Sequence, residues 1–214
     1  MRYPPLRFVG RILYSRTALE AEKAAAKLLQ ILQAKKKQRG QVAIGFDIEW
    51  RPTFRKGASP HKAAVMQLCA DSFHCHVMHI IHSGIPPSLQ LLLEDSTFLK
   101  VGVGICGDAS KVYRDYNVCI KGMDDLSDLA NKKIGGDKWG LASLSEALVC
   151  KELQKPKKIR LGNWEVKVLS KEQLQYAATD AFASWHVYEV LNNLPDIIQG
   201  VMDKKNEELE SIAV

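Results

Sequence analysis

The 214-residue sequence has no apolar run approaching the ~20 residues that cross a bilayer. Met1-Arg2 leads into Tyr3-Pro4-Pro5, not into an apolar h-region, so neither a secretory signal nor a membrane span is expected. None of the five cysteines (Cys69, Cys75, Cys106, Cys119, Cys150) forms a C-x-x-C pair. Their odd number, with four set among apolar residues, reads as reduced thiols in a reducing intracellular compartment. There is no internal repeat, no low-complexity stretch and no Ser/His/Asp nucleophile motif. Gly102-x-Gly104 lacks the third glycine and the preceding βαβ unit of a dinucleotide fingerprint. His74, His76, His79 and His82 with Cys75 fit no standard zinc spacing.

What is present suits one globular domain over residues 1–214, with a core at about 8–195 and a polar tail at about 203–214. Hydrophobic residues make up 46% and charged residues 25%, close to average usage. The net charge of +6 favours a polyanionic partner, because cations attract phosphates and release counterions.

The patterning predicts strands over 8–15, 42–50, 64–70, 73–81, 99–104 and 118–123, the last an edge strand. Helices are expected over 17–36, 87–94, 108–116, 125–133, 141–151, 170–192 and 194–210. Thr17 or Ser15 caps the first helix. A hairpin-built sheet followed by helices means a mixed α/β sheet layered by helices, not a (β/α)₈ barrel.

Along 42–50, alternation puts Ile44, Phe46, Ile48 and Trp50 on one face and Ala43, Gly45, Asp47 and Glu49 on the other. Two carboxylates this close repel, and no Lys or Arg shares their face. A divalent cation with oxygen ligands is the natural partner. A solvated pair at a sheet edge is the plain alternative. On the 170–192 helix, Tyr176 and Asp180 lie one turn apart, opposite the stripe of Leu174, Ala177, Ala178, Ala181, Trp185 and Tyr188. A buried Asp180 needs a partner, either a metal or an ordinary hydrogen-bond donor. Asp108 follows a Gly-rich strand end, at the N-cap or in the first turn of a helix. There it either caps or supplies a fourth carboxylate.

Phe46-Asp47-Ile48-Glu49, Gly104-Ile105-Cys106-Gly107-Asp108 and Tyr176-Ala177-Ala178-Thr179-Asp180 resemble, in order, the three motifs of the DEDD exonuclease superfamily. The Tyr-x-x-x-Asp form marks its tyrosine branch. The whole set is most similar to Werner-type exonuclease domains, in particular the stand-alone plant ones. Gln67-Leu68-Cys69 and Trp139-Gly140-Leu141 add to the likeness, which covers about residues 8–195.

The resemblance implies an RNase H-like (DnaQ-like) fold and a 3′→5′ exonuclease acting on DNA with two divalent cations, Mg²⁺ or Mn²⁺. In it, Asp47 bridges both ions, Glu49 and Asp180 complete one site, Asp108 supports the second, and Tyr176 orients the attacking water. It further implies a nuclear location, DNA repair, a RecQ-type helicase or Ku as partner, and self-association. An RNase D-like exoribonuclease and a catalytically silent nucleic-acid-binding module are the competing readings. Contacts to the strand are expected from Trp50, Arg51, Arg55, Lys56, Lys62, Lys158 and Arg160, with the basic cluster Lys155–Arg160 tracking phosphates. One departure stands out. Asp108 is followed by Ala109 and Ser110, with no aromatic ring to stack on a base.

Overall fold

The computed structural model describes residues 3–55 and 57–197. Its elements are β1 (Arg11–Ser15), α1 (Ala18–Arg39), β2 (Val42–Trp50), β3 (Ala63–Cys69), β4 (His74–Met78), α2 (Ile80–Ser83), α3 (Pro87–Glu94), β5 (Phe98–Gly102) and α4 (Ile105–Tyr116). They continue with β6 (Met123–Asp125), α5 (Leu126–Ile134), α6 (Leu141–Val149), α7 (Lys157–Arg160) and α8 (Lys171–Asn192). The six strands form one mixed sheet in the order β1-β4-β3-β2-β5-β6. β2 pairs antiparallel with β3 and parallel with β5, so it lies inside the sheet rather than at its edge.

Both faces of β2 are covered. Ile44, Phe46 and Ile48 enter a core with Leu28 and Leu32 of α1, Leu92 of α3 and Val112 of α4. Ala43 packs on Ala183, Val187 and Leu191 of α8. Trp50, expected on the first face, is instead 36% exposed where the strand leaves the sheet. Glycine at position 45 lets α8 approach. A Cβ there would overlap the carbonyl oxygen of Ala181 and lie 2.6 Å from the Trp185 nitrogen.

Several boundaries differ from the sequence reading. β1 begins at Arg11, because Phe8 is bonded to α8 instead. Its N–H donates to Thr179 Oγ1 at 3.2 Å, and its carbonyl accepts from Gln175 Nε2 at 2.8 Å. Residues 118–122 do not form an edge strand. Val118 and Ile120 insert into the core, Lys121 N–H donates to Leu93 O, and Gly122 turns at φ +62°. Only Met123–Asp125 joins the sheet. β4 gives way after Met78 to the single turn of α2. Thr17, not Ser15, caps α1 in a capping box with Glu20. All but the start of the helix expected over 194–210, and the whole polar tail, lie outside the described residues. Cys69 and Cys75 are buried, but Cys106, Cys119 and Cys150 are exposed, and all five are free thiols. Among the described residues no helix is long and apolar enough to cross a membrane.

Candidate active site

The alternation of β2 sends Asp47 and Glu49 toward α8, opposite Ile44, Phe46 and Ile48. From α8, Asp180 (2% exposed) and Tyr176 (7%) point back at them. Oxygens of Asp47, Glu49 and Asp180 all lie within 4.8 Å of one another. Asp47 Oδ1 accepts from the Ile48 N–H at 2.9 Å. Asp180 Oδ1 is buried with no hydrogen-bond partner. Its other oxygen, Oδ2, lies 3.7 Å from Lys155 Nζ.

Burial raises all three carboxyls, because low dielectric disfavours the charged form. The charges of Asp180 and Asp108 push Asp47 further, and those of Asp47 and Asp180 do the same to Glu49. Asp180 is raised by burial and partly held down by Lys155, with Arg160 acting in the same sense. Asp108 sits in the first turn of α4 behind the N-cap Gly104, not at the cap. It is outside the trio, yet close enough for its charge to act on Asp47. Burial and then the Asp125 charge lift it to about 7. Asp125 itself accepts from Gly104 N–H at 2.8 Å and Ser127 N–H at 2.9 Å, so it joins the starts of α4 and α5.

The donor set fits a divalent cation. Three carboxylates converge, their ionised forms disfavour one another, and one buried oxygen has no partner. Hard oxygen ligands of this kind suit Mg²⁺ or Mn²⁺. Burial, followed by the charges of Asp180 and Glu49, holds the Tyr176 phenol above its ordinary range. At neutral pH it is a neutral hydroxyl that donates and accepts hydrogen bonds, not a base.

The expected strand contacts lie around this cluster in varied states. The Trp50 ring is faced by Lys111 Nζ at 5.1 Å. Arg51 pairs with Glu165 at 3.8 Å, and Lys62 Nζ lies 5.7 Å from the Tyr116 ring. Arg55, Lys158 and Arg160 are exposed. Lys56 is outside the described residues. The sequence reading placed Lys155 in a phosphate-tracking cluster but missed its pairing with Asp180, because no local pattern links a loop residue to a helix 25 positions later. The histidines form no metal group among the described residues. His79 is bonded to Tyr14 Oη at 2.7 Å and Trp164 O at 2.9 Å, and His82 to Val166 O at 2.9 Å.

A family model described as 3′-5′ exonuclease matches residues 17–195. A 3′-5′ exonuclease of Arabidopsis thaliana is 63% identical over 199 residues, covering 92% of this chain and 69% of that protein. The bifunctional 3′-5′ exonuclease/ATP-dependent helicase WRN of Mus musculus is 37% identical over 207 residues. That match covers 96% of this chain and 14% of the mouse protein. Among solved structures, Escherichia coli RNase D, an exoribonuclease involved in structured RNA processing, superposes with a TM-score of 0.68 at 20% identity. It covers 85% of this chain and 44% of that one, and it shows the fold to be RNase H-like.

Proposed function

The chain belongs to the 3′-5′ exonuclease family, and on that premise we propose that it shortens DNA from the 3′ end, releasing nucleoside 5′-monophosphates. The observation that carries the site assignment is the convergence of Asp47, Glu49 and Asp180 within 4.8 Å. Asp47, Glu49, Asp108 and Asp180 would together hold two divalent cations, Mg²⁺ or Mn²⁺. When bound, such ions activate water and offset charge on the departing oxygen. The chain's own groups do the rest. Tyr176 orients the attacking water through its hydroxyl, since a phenol with a raised pKa cannot serve as a base at neutral pH. Lys155, with Nζ 3.7 Å from Asp180 Oδ2, brings a positive charge to the edge of the carboxylate cluster. Trp50, Arg51, Arg55, Lys56, Lys62, Lys158 and Arg160 supply the flanking surface, with the cations among them meeting backbone phosphates.

A silent binding module would have no use for buried carboxylates that repel one another. The choice between DNA and RNA rests on the likeness to the plant and mouse relatives. It is tested by comparing kcat/KM on DNA and RNA strands of matched sequence in Mn²⁺. Preference for DNA is expected, and preference for RNA would assign an RNase D-like substrate instead. The mouse relative joins exonuclease and ATP-dependent helicase in one protein. We therefore propose a helicase as a partner, and a nuclear location. A fluorescent fusion excluded from the nucleus would overturn the latter.

A further inference from the structure

Residues 51–62 join β2 to β3 and begin two positions after Glu49, about 7 Å along a strand. This loop is bonded to itself. Ala58 N–H donates to Arg55 O at 3.2 Å across a turn in which Gly57 has φ +78°, and Thr53 Oγ1 donates to Ser59 O at 3.5 Å. Its two ends are tied to the segment before α8, since Arg51 and His61 both reach the Glu165 carboxylate, at 3.8 and 2.8 Å. Between the loop and Leu161–Asn163 lies an open cavity of about 450 Å³, with Arg51, Phe54 and Arg55 on its wall and no carboxylate among its lining residues.

Phe54 is 81% exposed. An anchored loop that presents a phenyl ring to solvent, with Arg51 and Arg55 on either side of it in the chain, is chemically matched to single-stranded nucleic acid. Such strands bind through cations on phosphates and aromatic faces on bases. Two other positions near the carboxylates do not offer this. Ala109 and Ser110 beside Asp108 carry no ring, and the Trp50 ring is already faced by Lys111.

We propose that Phe54 is a base-stacking platform. It packs on an unpaired base of the substrate strand next to the nucleotide held at Asp47, Glu49 and Asp180, while Arg51 and Arg55 take the adjoining phosphates. This rests on the reading of those carboxylates as the exonuclease centre.

The test is equilibrium binding in EDTA, where no strand is cut. It uses the full chain and single-stranded DNA carrying 2-aminopurine at one position at a time near the 3′ end. At one position, wild type quenches the fluorophore and Phe54→Ala does not. Kd for Phe54→Ala rises about 5-fold or more, the span of one base–aromatic stack, while Phe54→Tyr stays within about twofold. An abasic residue at that position weakens wild type by a similar factor and leaves Phe54→Ala no weaker. Leu91→Ala, which removes an exposed side chain from α3, leaves Kd unchanged. Binding of Phe54→Ala within twofold of wild type overturns the proposal. So does a loss that ignores the abasic position, as a surface for a protein partner would give, or wild type that binds no strand. Mononucleotide release by wild type in Mn²⁺ is scored separately. Its absence overturns the exonuclease reading itself, whereas its presence alongside unchanged Phe54→Ala binding overturns only the platform.

Discussion

Lys155 Nζ and Asp180 Oδ2 lie 3.7 Å apart, the one on a loop and the other on α8, beside a second Asp180 oxygen with no partner. The ammonium offsets part of the carboxylate charge that a divalent cation would otherwise offset. Lys155→Ala should therefore separate two properties. Turnover falls roughly 10-fold, the order of one charge-assisted contact (~1.5 kcal/mol). Mn²⁺ binds more tightly, because a competing positive charge is gone. Steady-state kinetics and calorimetric titration check this, and weaker Mn²⁺ binding by the variant would contradict it.

Stability in the absence of metal should fall as pH rises. Asp47, Glu49 and Asp180 are raised by burial and mutual repulsion, and Asp108 reaches about 7. Each binds its proton more tightly folded than unfolded, where carboxyls titrate near ~4. The stabilisation is complete below that unfolded value and is lost as pH rises through the folded one. His76 and His79, held near 4 by burial, act in the opposite sense below about 6.5, and Lys100, lowered by burial to about 8, does so as pH approaches that value, so the informative range is about 6.5 to 7.5. In EDTA, the wild-type Tm should drop over that range and Asp47→Asn should drop less. Mn²⁺ should raise Tm more at about pH 7.5 than at pH 6.5, because less proton release accompanies binding. A flat wild-type Tm in EDTA would contradict the burial argument.

Gly45→Ala should damage both fold and activity. The added methyl meets the α8 backbone at Ala181 and Trp185, so α8 must shift, carrying Asp180 away from Asp47. The cost is about 1–3 kcal/mol or more by overpacking, with turnover falling beyond what the lost folded fraction explains. Gly107→Ala is the control. Its Cβ meets nothing within 4 Å, and replacing a helical glycine gains up to ~1 kcal/mol. Denaturant melts and turnover on the same samples decide the comparison.

β2 and α8 were legible because their patterns are local. Period-two alternation placed Asp47 and Glu49 together, and a four-residue spacing joined Tyr176 to Asp180. A solvated sheet edge is the plain alternative to a metal site for Asp47 and Glu49. β5 pairs with β2 only as far as Gly45, so it is burial against α8, with Glu49 8% exposed, that removes this alternative. Segments whose partners are distant in sequence were misread. Val118–Ile120 has the composition of a strand but serves as core filling beneath α3 and α4. Phe8 looks like the start of β1 but is held by Thr179 and Gln175. Asp108 could be placed only to within a turn, because capping and ligation favour the same residue type. Lys155 was one lysine among several until α8 was docked.

The central claim is that these four carboxylates and Tyr176 form a metal-dependent centre that removes nucleotides from a 3′ end. Its most direct test follows a 5′-labelled single-stranded DNA in Mn²⁺ while the released nucleotide is identified. The expected result is a ladder shortening from the 3′ end with nucleoside 5′-monophosphate released, abolished by EDTA and slowed at least about 100-fold in Asp47→Asn and Asp180→Asn. Cleavage that survives EDTA, release of 3′-monophosphates, or either variant working at the wild-type rate would contradict it.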